Sequence, residues 1–390
     1  MSSKKYILII LLLVFISNSS KAIFLDIKIY SGYEIASFTF SPISGKYAIY
    51  DNGNKIADLY KNSSLTFKIV NNKIQLHKDG KYLGAFSKIH TNGEGFMNVF
   101  KINPAEQGIN ERIYDDNIKI SIVDSSLQII NNVELERYVA GVVQSEGGGS
   151  YKDIEFYFVQ AITCRTYALN NFRKHKKEGF NLCDAIHCQV YHGRCKESDI
   201  LMATYKTMGK VIVDKDRIMI SAAFHSNCGG QTVNSEDIWS IPTSYLKSVG
   251  DTFCCFMRNA RWEKKILKKD WFDYLKRVYN YPVNNSIMID SVLSFTQEKR
   301  KVFLVDTIKL KNIREDLYLR STFFSIKEKG DTVLFTGKGY GHGVGLCQEG
   351  AIKMAELGYK YEDIIKFYYK DVSIVNFNEL RYLIKSLQDK

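Results

Sequence analysis

The sequence predicts an α+β fold, with a small antiparallel β domain preceding a larger domain in which a mixed sheet packs against helices. Three observations carry this. Residues 23–111 hold short alternating apolar and polar runs split by turn pairs, with no helical stripe. From residue 118 onward, strand-like and helix-like segments mix without the regular βαβ spacing of a parallel sheet. The length of 390 residues suits two to three domains at roughly 100–200 residues each.

The elements follow in order. Leu25–Tyr30, Ser37–Phe40 and Leu65–Val70 alternate as strands, and Asp51-Asn52-Gly53, Asn71-Asn72 and Asp79-Gly80 supply turns. Residues 119–123 and 127–130 form a hairpin. Asn132 reads as a helix N-cap. Apolar residues then recur at 135, 138, 139, 142 and 143, the stripe of a buried helix face, and Gly147-Gly148-Gly149 closes the helix. A second helix is expected over 153–172. Strands follow near 211–213, 217–224 and 302–310, with helices near 270–279, 346–357 and 361–369. Between 337 and 345 Gly alternates with a side chain. Read as extended chain, this puts every Gly on one side and Lys338, Tyr340, His342 and Val344 on the other.

Composition narrows the function classes. At 45% hydrophobic and 25% charged, the chain is globular, and four Pro exclude a Pro-rich stalk. Residues 1–22 have the layout of a signal peptide: basic Lys4-Lys5, an apolar run Tyr6–Ile16, and small Ser20 and Ala22 flanking Lys21. That run is well short of the ~20 residues that span a bilayer. The expectation is export to the periplasm or cell envelope, with cleavage near Ala22 and, for want of a Cys there, no lipid anchor. Cleavage would remove Lys4, Lys5 and Lys21 and no acid, taking the formal charge from +12 to +9, which suits anionic surfaces such as cell wall or lipid headgroups. Nucleic acid is not an expected partner, because the basic residues are scattered rather than blocked. Nucleotides are not expected either, because the Gly-rich segment lacks the spacing and Lys-Ser/Thr ending of a phosphate loop.

Several residues could carry chemistry. Glu146 continues the apolar stripe of the first helix into its last turn. Partial burial and the negative helix end would both raise its pKa, as a general acid needs. Arg165 lies in the buried stripe of the next helix, so it requires an acceptor, either a carboxylate or a polar ligand. The stretch from Cys183 to His192 gathers Cys183, His187 and Cys188, ligand types that suit tetrahedral zinc. In an exported chain a Cys183–Cys188 disulfide competes with metal, and free thiols are the third option. His225-Ser226-Asn227-Cys228 invites a nucleophile reading, but neighbours on a strand face opposite ways, so a polar cleft wall is the better expectation.

These residues together resemble the stage II sporulation protein D and amidase enhancer family. The resemblance rests on ERYVAGVVQSE (136–146), Gln160-Ala161 with Arg165-Thr166-Tyr167-Ala168, and CDAIHCQVYHG (183–193). HSNCGGQT (225–232), Asp237-Ile238-Trp239 and GKGYGHGVGLCQEGA (337–351) complete it. It spans about residues 112–375 and sets the expected boundary of the second domain at 112. It implies a lytic transglycosylase acting on peptidoglycan glycan strands, with Glu146, which follows Ser145, as its acid. It also implies a glycan cleft lined by Arg165, Tyr167, His225, Ser226, Gln231, Tyr340, His342 and Gln348. Structural zinc known in some members maps onto Cys183 and Cys188, with His187 as a further candidate. The second family name implies an alternative, a non-catalytic wall-binding activator of a peptidoglycan amidase. One departure stands out: Gly147-Gly148-Gly149-Ser150 occupies the place of the family's short apolar turn, so a more mobile loop is expected.

Overall fold

The computed structural model describes residues 22–147 and 153–383. The signal-peptide layout up to residue 21 and the glycine loop at 148–150 lie outside the described residues. Alternation over residues 24–134 builds one large sheet. Its strands in chain order are β1 (Phe24–Ile29), β2 (Ser37–Asp51), β3 (Asn54–Leu59), β4 (Leu65–Val70) and β5 (Lys73–Lys78). Then come β6 (Lys81–Phe86), β7 (Lys88–Pro104), β8 (Arg112–Asp115), β9 (Asn117–Val123) and β10 (Ser126–Glu134). β1 pairs antiparallel with β10 and parallel with a short strand at Leu182–Cys183, which makes the sheet mixed. β7 pairs with both β8 and β9. The boundary expected at 112 therefore falls inside one sheet, and both sides share one core. That core is aromatic: Phe38 stacks on Phe67 at 4.6 Å and Phe40 on Phe100 at 4.8 Å. The β9–β10 hairpin turns on Asp124-Ser125, both at positive φ, as the right-handed strand twist favours.

β10 runs on through Asn132, so that residue is not the N-cap; its amide instead donates to Asp26 at 2.8 Å. Helix α1 (Leu135–Gly147) starts where the strand ends, and Glu134 accepts the Arg137 N–H at 3.1 Å. The stripe at 135, 138, 139, 142 and 143 is buried as expected. Helix α2 (Ile154–Asn170) is capped by Asp153, which accepts the Glu155 N–H at 2.9 Å. It is buried on nearly every side rather than along one stripe, because the surrounding elements enclose it. Next come β11 (Leu182–Cys183), α3 (Ser198–Lys206), β12 (Lys210–Val213), β13 (Phe224–His225) and α4 (Ser235–Trp239).

Residues 261–338 form a separate layer around Trp271, Phe324 and Phe335. It comprises β14 (Arg261–Leu267), α5 (Lys268–Tyr279), α6 (Ser286–Leu293), β15 (Ser294–Phe295), α7 (Leu310–Asp316), β16 (Phe324–Lys329) and β17 (Thr332–Lys338). The chain returns through β18 (Leu346–Cys347), α8 (Gln348–Glu356), α9 (Tyr361–Tyr368) and β19 (Ser373–Asn376). Two expected strands are absent. Residues 302–310 make a closed turn, with Leu304 N–H on Ile308 O and Leu310 N–H on Val302 O, and Leu304, Ile308 and Leu310 enter the core without a partner strand. Most of 217–224 is irregular: Met219 makes a single bridge to Val213, and Phe224, followed by His225, pairs with β18. No described helix is long and apolar enough to cross a membrane.

One ion pair ties the helical layer together. Arg165 is fully buried, and its Nε and Nη2 bind both oxygens of Glu136 at 2.5–3.1 Å. Its remaining donors reach Thr204 O at 3.0 Å and Lys210 O at 3.2 Å. The guanidinium thus joins α1, α2, α3 and β12. Removing either partner leaves a buried charge uncompensated, which costs about 3–5 kcal/mol. Glu136→Ala and Arg165→Ala should each lower unfolding free energy by that order in urea titrations. A loss under about 1 kcal/mol would mean that the pair is dispensable.

Candidate active site

Glu146 stands at the C-terminal end of α1, with its carboxyl half-buried. Its Oε1 accepts the Val190 N–H at 2.8 Å. Ser145 is anchored alongside: its Oγ donates to Gly141 O at 2.7 Å and accepts the His192 N–H at 3.0 Å. The end of α1 is therefore stitched to the 188–192 loop. Burial pushes the Glu146 carboxyl up, and the Val190 hydrogen bond opposes it. The sequence expectation of a raised acid agrees in direction.

The loop that supplies Val190 carries a cluster of four metal-type ligands, in which Cys183, His187 and Cys188 are joined by His175. Cys188 Sγ lies 3.4 Å from His175 Nε2 and 3.7 Å from His187 Nδ1, and Cys183 Sγ is 3.8 Å from His187 Nδ1. Tetrahedral zinc, with bonds of about 2.0–2.3 Å, needs ligand separations of about 3.3–3.8 Å, so the set fits. His175 Nδ1 also meets Glu178 Oε1 at 2.5 Å, the carboxylate–histidine arrangement that aims the other ring nitrogen at a metal. Cys188 and His187 hold the Cys183 thiol below its usual range. Sequence reasoning missed His175. It sits in a basic run after α2 with no spacing signal, and only the fold brings it to the loop.

Tyr167 borders both groups. Lys174 Nζ donates to its hydroxyl at 3.4 Å and to His187 O at 2.6 Å. Burial raises its pKa, and the charges of Cys188, Cys183 and Glu146 add to that. Arg165 does not line a cleft: it is fully buried against Glu136, so its expected role in substrate binding is replaced by a structural one. The signal was available in part, since a buried Arg demanded an acceptor, but its identity required the fold.

The remaining expected residues gather on another wall, around β13 and β18. His225 Nδ1 donates to Val344 O at 3.1 Å, burial holds its imidazole neutral, and its Nε2 has no partner among the described residues. His342 donates from Nε2 to Phe224 O at 2.9 Å and accepts the Val344 N–H on Nδ1 at 3.0 Å. Burial pushes it down to about 4, so it is a neutral backbone brace. Its ring lies 5.3 Å from half-exposed Trp239. Ser226 Oγ accepts from Asn259 Nδ2 at 3.2 Å. Gln231 is taken up by Ser248 and the Arg300 N–H. Gln348 is buried, with its Nε2 unpartnered among the described residues. Tyr340 is exposed, beneath the Arg320 guanidinium.

The Gly-rich segment is not extended. Gly339, Gly341, Gly343 and Gly345 all have positive φ, and Val344 is buried while Tyr340 is exposed, so the residues between the glycines do not share a face. Close approach does hold: a Cβ at Gly345 would sit 2.2 Å from Ala223 O. Two recesses, one lined by Tyr50, His90 and Asn132 and the other by Val233, Asp237 and Arg300, do not include Glu146.

The fold and this arrangement define an α+β protein whose helix-terminal carboxyl is braced by a Cys/His loop. A family model described as stage II sporulation protein matches residues 123–213. The chain is 30% identical over 294 residues to stage II sporulation protein D of Bacillus subtilis, covering 70% of this chain and 82% of that one. It is 32% identical over 297 residues to stage II sporulation protein D of Bacillus amyloliquefaciens, covering 69% and 82%. An amidase enhancer of Bacillus subtilis is 28% identical over 290 residues, covering 61% of this chain and 40% of that protein. The chain belongs to the stage II sporulation protein D family.

Because burial raises the carboxyl pKa, ionising Glu146 in the folded state costs stability once pH exceeds its unfolded value. Glu146→Gln removes that cost and keeps an acceptor for Val190. The variant should melt above wild type at neutral pH, and the gap should close below the ordinary carboxyl pKa of about 4. Equal melting temperatures across pH 3–8 would refute this.

Proposed function

We propose that the protein is a peptidoglycan lytic transglycosylase, exported to the cell envelope, with Glu146 as its single acid and base. The observation that carries this reading is the half-buried Glu146 carboxyl, biased toward its acid form and held by one oxygen on a loop N–H. The protonated carboxyl gives its proton to the glycosidic oxygen as the bond to C1 breaks. The sugar's own acetamido group stabilises the cationic carbon. The carboxylate then takes the C6 hydroxyl proton as that oxygen bonds C1, closing a 1,6-anhydro ring. No water attacks, so the second carboxyl of ordinary glycosidases is not needed. Exposed Tyr340 and Trp239 offer aromatic faces on which sugar rings can lie.

Zinc at His175, Cys183, His187 and Cys188 would be structural. Bound there, it would fix the loop that presents the Val190 N–H to Glu146. Its removal should act on positioning rather than on the acid itself. The similarity to an amidase enhancer supports a second reading, a wall-binding activator of a peptidoglycan amidase.

General acid–base help is worth about 10²–10⁴-fold. Glu146→Gln should therefore lose at least about a hundredfold of anhydro-sugar product from purified glycan strands, read by mass spectrometry, while still binding them. Wild-type rates in the variant would end the proposed mechanism. If wild type and variant both yield no product yet both stimulate an amidase, the activator reading stands instead. For the export proposal, N-terminal sequencing of the envelope form should begin near Ile23; an intact Met1 would mean an uncleaved anchor. For the metal, Cys183→Ser/Cys188→Ser should carry one zinc fewer per chain than wild type. A disulfide between these two cysteines in wild type would exclude it.

A further inference from the structure

A second set of metal-type ligands lies apart from the Glu146 loop and is buried throughout. Cys228, Asp251, Cys254 and Cys347 place one ligand atom each within 4.8 Å of one another. They are distant in sequence: Cys228 follows β13, Asp251 and Cys254 share one turn, and Cys347 ends β18. Cys228 Sγ is 3.4 Å from Cys254 Sγ and 3.2 Å from Asp251 Oδ2. A zinc–sulfur bond of about 2.3 Å and a zinc–oxygen bond of about 2.0 Å give tetrahedral edges of about 3.8 and 3.5 Å. Small shifts outward would meet them.

The surroundings are those of anionic ligands rather than thiols packed as hydrophobes. Cys347 Sγ receives the N–H groups of Cys228 at 3.3 Å and Gly350 at 3.4 Å, and it caps the start of α8. Asp251, fully buried, receives Tyr368 Oη–H at 2.9 Å on Oδ2 and the Phe253 N–H at 2.9 Å on Oδ1. These second contacts orient the carboxylate, as outer partners of metal ligands do. Arg300, partly buried beside the Cys228 carbonyl, uses its donors on Cys228 O, Gln231 O and Thr322 Oγ1. A buried carboxylate facing three sulfurs thus has no direct ion-pair partner among the described residues.

We propose that Cys228, Asp251, Cys254 and Cys347 form a second structural metal site, a mononuclear tetrahedral centre of three sulfurs and one oxygen that takes zinc. Soft thiolates select zinc over magnesium or calcium, and the short separations suit one ion. A Cys228–Cys254 disulfide would use two sulfurs and leave Cys347 and Asp251 facing each other without charge balance. The ion would clamp the loop after His225, the Asp251–Cys254 turn and the start of α8. It would thereby set the positions of His225 and Gln348, whose Nε2 atoms are both buried and unpartnered among the described residues. This site does not depend on the glycan-cleaving reading.

The test uses the mature chain bearing Cys183→Ser/Cys188→Ser, made in zinc-supplemented medium and purified without chelator. The folded variant should retain one zinc per chain by elemental analysis. Its cobalt(II)-exchanged form should show thiolate-to-cobalt charge-transfer absorption, lost on adding Cys254→Ser. A folded variant with less than about a fifth of a zinc per chain would overturn the proposal. If the variant does not fold, a non-reducing digest of wild type decides: unlinked Cys228 and Cys254 peptides with two zinc per chain support it, and a linked pair overturns it.

Discussion

The helical half of the molecule depends on the buried pairing of Arg165 with Glu136. A guanidinium with no access to water must have its donors filled, and here they draw on a carboxylate in α1 and on carbonyls of Thr204 and Lys210. The pair fixes α1 against α2 from the first turn of α1 onward. Glu146 lies at the other end of that same helix, so a shift at the pair would be carried along a rigid rod to the carboxyl. Arg165 is therefore tied to Glu146 through the geometry of α1.

The same economy of polar groups shapes the two walls. At Glu146 burial favours the neutral acid, and a single N–H donated by Val190 limits how far. At β13 and β18, His342 is neutral and saturated by backbone, which makes it a strut for the Gly-rich segment. His225 differs, because its buried Nε2 has no partner among the described residues. Positive φ at four glycines lets the segment 339–345 coil tightly against the 223–229 loop, a path that side chains with a Cβ would obstruct.

Sulfur chemistry recurs at both walls. One Cys/His set sits directly before the loop that braces the carboxyl, and the Cys/Asp set underlies the wall that bears His225. The Cys/His set spans only residues 175–188, whereas the Cys/Asp set draws together segments more than a hundred residues apart.

Local pattern in the sequence was enough for the class of fold, for β1, the start of β2, β4 and three turns, and for the helices at 153–172, 270–279 and 361–369 to within a few residues. These are set by local periodicity and capping, as at Asp153. It also singled out Glu146, because helical spacing alone puts that carboxyl on the apolar face. Only the tertiary structure decided what is non-local. It merged residues 23–111 with β8–β10 in one sheet, since strand pairing between β1 and β10 leaves no trace in either segment alone. It ended the Asn132 reading, because cross-strand hydrogen bonds outweighed a local cap. It gave Arg165 its partner, added His175 to the Cys/His loop, and brought Cys347 to Cys228 across more than a hundred residues. Such meetings depend on how chain segments pack, and a pattern read along one segment holds no information about which distant side chain will fill its polar needs.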